Sequence, residues 1–229
     1  MDSPISPPNS VKKALLEEGF TDLSDSNVGE HVWEFEQKRF PFYTKDGMDF
    51  LMQHILGDPA VRSIVEWYFD NRGCVLAHCL RYGAFPGHIE SFLGGRGAGR
   101  DALMVQLLAK GSRVDYYAKS HLHAFPAEKG LRLTRELPRS VLIDAGCEAH
   151  SKDFGVGGSV ILDARLSREI WGGYAITALF TTEDLVARFS LPPMPLPNLP
   201  GLKEKVAKMQ EKSGRIRLNF IFEGGDLAT

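Results

Sequence analysis

The chain is poor in cysteine, with three in 229 residues: Cys74, Cys79 and Cys147. An odd number without a CxxC pair or Cys/His finger spacing argues against a disulfide framework and a structural zinc site, and buried thiols are expected instead. Long apolar runs are missing too, since none approaches the roughly 20 residues that span a bilayer. The opening MDSPISPPNS carries neither a cationic stretch nor an apolar core of signal-peptide length. A cytoplasmic protein with no membrane partner is the expectation. Basic excess is also absent: 27 Lys and Arg stand against 29 Asp and Glu, a net charge of -2. That leaves no surplus to neutralise a phosphate backbone, so nucleic acid is not an expected partner. No internal repeat is present.

What remains is an ordinary globular composition, 43% hydrophobic and 24% charged, on a chain long enough for one well-cored domain with an appendage. Residues 1–10, rich in proline and serine, read as disordered. Residues 11–190 read as the main domain with a helical cover, and 191–229 as a proline-rich connector with a helix-strand tail. Helices are expected over Val11 to Gly19 with Ser10 as N-cap, Glu30 to Arg39, Asp46 to Leu56, and Ala60 to Phe69 behind Asp58-Pro59. From Gly73 the pattern turns to short β runs: Cys74 to Tyr82, Ala102 to Lys110, Arg113 to Ser120, Ser140 to Ala145, Ser159 to Arg165 and Tyr174 to Thr181. Helices followed by evenly spaced strands imply an α+β, mainly β domain built as an antiparallel sandwich or barrel.

LPPMPLPNLPG, Leu191 to Gly201, holds five prolines in eleven residues and is excluded from regular helix and from a central strand. Beyond it, Leu202 to Lys212 reads as a charged helix and Arg215 to Phe222 as one more strand. That tail strand needs an edge, its own sheet's or a partner's, and a homodimer is expected.

The stretch GGSVILDARLSREIWGGYAIT, Gly157 to Thr177, gives a strand, a turn and a second strand. It resembles the C-terminal ladder of the phytanoyl-CoA dioxygenase family, in which an Asp-small-Arg-x-x-His run supplies a metal histidine. Here Arg168 occupies the histidine slot, and Thr177 or Ala178 the later slot where the family carries a 2-oxoglutarate arginine. Upstream, His88-Ile89-Glu90 resembles the family's His-x-acid pair, and Ser120-His121 in YYAKSHLH the end of its turn. The resemblance spans Cys74 to Phe180 and extends to a group of fungal proteins similar to this family. It implies a double-stranded β-helix, a jelly roll enclosing a pocket.

Guanidinium stays protonated and offers no lone pair to a metal, so Arg168 cannot be a ligand. No metal and no cofactor are therefore expected. His150, in GCEAHSKDFG, and His121 are the alternative third ligands if an iron site persists. The implied activity is a cofactor-independent isomerase or cyclase that closes an oxygen heterocycle on a polyketide or terpenoid intermediate of secondary metabolism. The alternatives are an iron and 2-oxoglutarate oxygenase with an unusual ligand set, and a binding protein without turnover.

The candidate catalytic residues are Asp163, Arg165, His88, Glu90 and Tyr116, and the candidate substrate-binding residues are Lys110, His121, Arg168, Trp171 and Tyr174. A histidine near a carboxylate titrates near neutral pH and suits acid-base work, which singles out His88 and Glu90, while Tyr116 offers a phenolic proton. Asp163 and Arg165 share strand parity, opposite to Leu162, Ala164 and Leu166; on the pocket side they orient substrate, on the other they form a structural ion pair. Arg168, Trp171 and Tyr174 offer charge and stacking to a mid-sized aromatic or apolar substrate. GGRGAGR, Gly94 to Arg100, lacks the lysine of a phosphate loop and reads as a loop or lid. His31, His54, His78 and His123 show no ligand pairing beyond His121-x-His123.

Overall fold

The computed structural model describes residues 6–23, 27–70, 72–92, 100–126, 128–130 and 134–224. The expected loop Gly94 to Arg100 lies outside them except for its last residue. In chain order the elements are α1 (Asn9–Glu17), β1 (Phe20–Leu23), α2 (Val28–Gln37), α3 (Lys45–Leu51), a π-helical turn (Met52–Leu56), α4 (Pro59–Tyr68), β2 (Cys74–Gly83), β3 (Ile89–Ser91), β4 (Ala102–Leu108) and β5 (Ser112–Tyr117). A 3-10 turn (Ser120–Leu122) leads to β6 (Glu128–Lys129), β7 (Arg135–Leu137), α5 (Arg139–Asp144), β8 (Ala149–Phe154), β9 (Gly158–Asp163), β10 (Arg168–Gly172) and β11 (Tyr174–Thr181). The tail holds α6 (Glu183–Arg188), β12 (Met194–Leu196), α7 (Leu202–Lys212), β13 (Ile216–Leu218) and β14 (Phe220–Phe222). Among the described residues, no helix is long and apolar enough to cross a membrane.

The chain divides into two compact units, one of residues 1–7, 34–80 and 178–229, the other of 8–33 and 81–177. Helices dominate the first. Thr44 caps α3 by accepting from Gly47 N, and Asp58 caps α4 by accepting from Val61 N at 2.8 Å with Pro59 in the first turn. Phe35 stacks on Phe50 with ring centroids 4.3 Å apart. The tail is tied to these helices by Lys205 on Asp49 at 2.5 Å and by Arg62 donating to Lys212 O at 2.9 Å. Burial pushes the Cys74 and Cys79 thiols up to about 12, so both stay protonated and inert.

The expected tail strand is two strands. β13 runs parallel to the start of β2, pairing Ile216 with Cys74, and β14 runs parallel to β12. The switch falls at Asn219, whose N–H donates to Leu76 O while its carbonyl accepts from Met194 N. The proline-rich connector thus does form a strand, but in a two-stranded pair rather than within a large sheet.

The second unit holds two facing sheets, one ordered β1-β9-β4-β11 and the other β6-β7-β3-β10-β5-β8. Phe20 of β1 stacks on Tyr116 of β5 with centroids 4.9 Å apart, which fixes the faces that look inward. Ser140 to Ala145 is not a strand: it lies in and just after α5, with Pro138 at its N-cap and a left-handed Gly146 (φ 69°) beyond its end. A three-residue apolar run carries no period that separates helix from strand, and only Leu142 of the helix is buried. Helix α1 begins at Asn9, behind Pro8 rather than Ser10. Gly173 makes the turn between β10 and β11 with φ 71°; a Cβ there would stand 2.4 Å from Ser112 Oγ, which binds both N and O of Tyr174.

Candidate functional site

Register builds the site. Arg168 pairs with Glu90 across β10 and β3 and with Tyr116 across β10 and β5, so the three side chains form one row on one face. Tyr116 points at Phe20 of the opposite sheet, so this face is the interior of the unit. The Tyr116 hydroxyl crosses to that sheet and donates to Gln106 Oε1 at 2.8 Å. Burial holds its pKa well above the ordinary phenol range, against the pull of the Arg168 cation and with a small push from Asp22. The phenol is thus a neutral donor.

Arg168 is 2% exposed. Among the described residues its guanidinium has one long hydrogen bond, to Glu90 O at 3.5 Å, and lies over the Tyr82 ring at 5.9 Å. The Glu90 carboxylate does not pair with it and accepts from Thr134 Oγ1 at 2.6 Å instead. Gln106, fully buried, spends its oxygen on Tyr116, and its Nε2 finds no acceptor among the described residues. The interior therefore carries donors in excess of acceptors.

The other expected residues lie elsewhere. Phe20 sits opposite Leu162, so Leu162 looks inward and Asp163 looks out of the opposite face. The structure does not bring Asp163 and Arg165 together with Tyr116. Arg165 instead grips Asp163 with Nε at 2.9 Å and Nη2 at 2.7 Å, and Asp163 Oδ1 also accepts from Arg165 N. His121 belongs to that neighbourhood. Its Nε2 faces Leu16 O at 3.2 Å, and burial lowers its pKa against the attraction of Asp163. Close packing of His121 also explains Gly19, where a Cβ would meet its Nδ1 at 2.5 Å.

His88 is stacked on Phe85 at 3.5 Å and tied to Glu136 Oε1 at 2.6 Å, with its side chain 37% exposed, at the margin of the row. Lys110 pairs with Glu30 on the surface. Tyr174 lies under Arg81 at 4.5 Å.

Trp171 belongs to the outer face of the second sheet, where it donates to Asp115 Oδ2 at 2.7 Å. Asp115 also accepts from Ser151 Oγ at 2.6 Å and stands in register with Glu169. Glu169, with no exposed surface, takes Gly87 N at 2.6 Å and Arg139 Nη2 at 2.5 Å, with Tyr117 OH at 3.5 Å. Burial, with the Glu169 charge adding to it against Arg139, pushes Tyr117 up to about 12. Sequence reasoning missed Gln106 and Glu169. A lone amide inside ALMVQLL was the available signal for the first; none marks the second.

No family model matches the chain, and no curated protein does. Solved structures match in fold. The epimerase SnoN, in complex with Fe3+, alpha ketoglutarate and nogalamycin RO, is similar with a TM-score of 0.53 and 12% identity over 76% of this chain and 82% of its own. The non-heme alpha ketoglutarate dependent carbocyclase SnoK from nogalamycin biosynthesis gives 0.53 and 12% over 79% and 87%. EctD from S. alaskensis, with 2-oxoglutarate and 5-hydroxyectoine, gives 0.53 and 10% over 80% and 78%. The fold is the double-stranded β-helix.

The residues here do not fit an iron centre of the kind seen in SnoN. Among the described residues, no three His, Cys, Asp or Glu side chains cluster to hold a metal. Arg168, beside Glu90, cannot ligate, and His88 Nδ1 is held by Glu136. His150 faces Tyr116 in register, which puts it three strands from Glu90, roughly 14 Å at the usual strand spacing. His121 lies with Asp163, apart from the row.

Proposed function

We propose that the chain is a cofactor-independent isomerase or cyclase acting on a mid-sized polyketide or terpenoid intermediate of secondary metabolism. The observation that carries this reading is the row Glu90, Arg168, Tyr116 on the interior face, where a fixed cation stands between a carboxylate and a neutral phenol. The fold's capacity for such products supports it, since similar structures include an epimerase and a carbocyclase. The resemblance to the phytanoyl-CoA dioxygenase family supports the same pocket, with Arg168 in the slot of the metal histidine.

Ring closure by oxa-addition to an unsaturated ketone uses all three residues. Glu90 takes the proton of the attacking hydroxyl as the new C–O bond forms, and the alkene pair moves onto the carbonyl oxygen. Arg168 stabilises that oxyanion. Tyr116, released from Gln106, protonates the carbon next to the carbonyl, and the proton on Glu90 restores the phenol. No electrons are gained or lost, so no oxidant is required.

The test is turnover of a panel of hydroxy-enones under argon with a strong chelator present. Unchanged rates are expected. A strict requirement for iron and oxygen overturns the reading, and tight product binding with no turnover points to a binding protein of the same fold.

A further inference from the structure

Among the described residues of the second unit, a buried cation and a buried amide with unmet donors meet at one place. Beside Tyr116, the Arg168 guanidinium and the Gln106 amide approach the same phenol from the two sheets, one in register with it and the other bonded to its oxygen. Both side chains are at least nine-tenths buried. Their combined hydrogen-bonding capacity is seven N–H donors. Among the described residues, the acceptors they find reduce to Glu90 O at 3.5 Å. A cation removed from water persists when something brings it negative charge, and among the described residues the nearby carboxylates do not pair with it: Glu90 is engaged by Thr134, and Asp163 by Arg165 on the other face.

We infer that this corner binds an organic carboxylate. Its two oxygens lie on the guanidinium fork, and one of them also accepts from Gln106 Nε2. Resting on the reading that the interior face is the substrate site, this names the substrate class: an acid, entering carboxylate first, whose carbon skeleton lies against the Tyr82 and Phe20 rings. Planarity selects carboxylate over spherical anions, because two parallel N–H bonds match two coplanar oxygens. The aromatic surroundings select an unsaturated or aromatic acid over acetate.

The probes are benzoate, its neutral isostere benzamide, and inorganic phosphate, titrated into the full chain by calorimetry. Binding is also followed through the Arg168 Nε–H resonance, assigned with Arg168→Lys. Benzoate is expected to bind and move that resonance, benzamide to bind at least tenfold more weakly. Gln106→Glu supplies the missing carboxylate internally; it is expected to raise the thermal midpoint and to weaken benzoate by tenfold or more. Arg168→Gln is expected to abolish benzoate binding, with the exposed Lys38→Gln unchanged as control.

Equal binding of benzoate and benzamide overturns the inference, as does undiminished benzoate binding by a folded Gln106→Glu, or phosphate binding more tightly than benzoate. None of these readouts needs turnover. An enzyme that requires iron yet binds benzoate at Arg168 overturns only the metal-independent mechanism, and one that cyclises neutral substrates while ignoring benzoate overturns only the carboxylate.

Discussion

Arg168 and Glu169 are consecutive residues of one strand, both buried, on opposite faces of one sheet. On the outer face Glu169 has a cation, a backbone N–H and a nearby phenol, and its neighbour Asp115 has an indole and a hydroxyl. On the inner face Arg168 has, among the described residues, one long hydrogen bond to a carbonyl. The same backbone carries a saturated polar cluster and an unsaturated one, separated by the pleat alone. The saturated groups hold structure, and the surplus donors beside Tyr116 are the ones we assign to a ligand.

The largest expected effect comes from breaking the saturated side. Arg139→Ala leaves the fully buried Glu169 carboxylate without its cation and should cost about 2 kcal/mol, the scale for a buried charged group that loses a partner, since Arg139 itself is 43% exposed. Urea denaturation measures it. Tyr116→Phe strikes the inner side: turnover should fall by about a hundredfold, as for loss of a positioned proton donor, with stability lower by about 1 kcal/mol for the bond to Gln106.

Arg168→Met should be nearly neutral or stabilising, within about 1 kcal/mol, because it removes a buried charge that is in no ion pair among the described residues. A loss as large as that of Arg139→Ala would erase the contrast between the faces.

The smallest effect controls for pH. His121 belongs to neither face, and its folded pKa lies below the ordinary histidine value. Between the two values the unfolded chain binds a proton that the folded chain refuses. Stability should therefore fall as pH drops through and below the ordinary histidine range, and level off beneath the folded value. Denaturation curves from pH 7.5 down to 5 check this, and His121→Gln should flatten that part of the profile.

The two faces were not equally legible. Strand β11 and helix α7 stand where the apolar run Tyr174 to Thr181 and the charged stretch Leu202 to Lys212 place them, because each carries its own period. Strand β10, Arg168–Gly172, was hidden: its first two residues are charged and buried, which no propensity predicts, and only tertiary partners make them a strand. Strand β8 was hidden for the reverse reason, being largely exposed and polar.

Asp163 was visible as a strand-end carboxylate, but parity says which residues share a face and not which face is inside. That required Phe20, more than a hundred residues away, to pair with Leu162. The row Glu90, Arg168, Tyr116 is likewise a product of register between strands distant in sequence. Its members were named from the family resemblance and the residue chemistry, but their adjacency was not readable.

The parallel pairing of β13 with β2 has a consequence for how the protein is made. Residues of the tail close onto helices encoded far upstream, with Lys205 reaching Asp49 across 156 positions and Arg62 reaching Lys212 across 150. The first unit therefore cannot be completed on the ribosome until residues 202–222 have left the exit tunnel. Until then Cys74 to Leu76 present a bare β edge, a surface that invites chaperones or other nascent chains to pair with it.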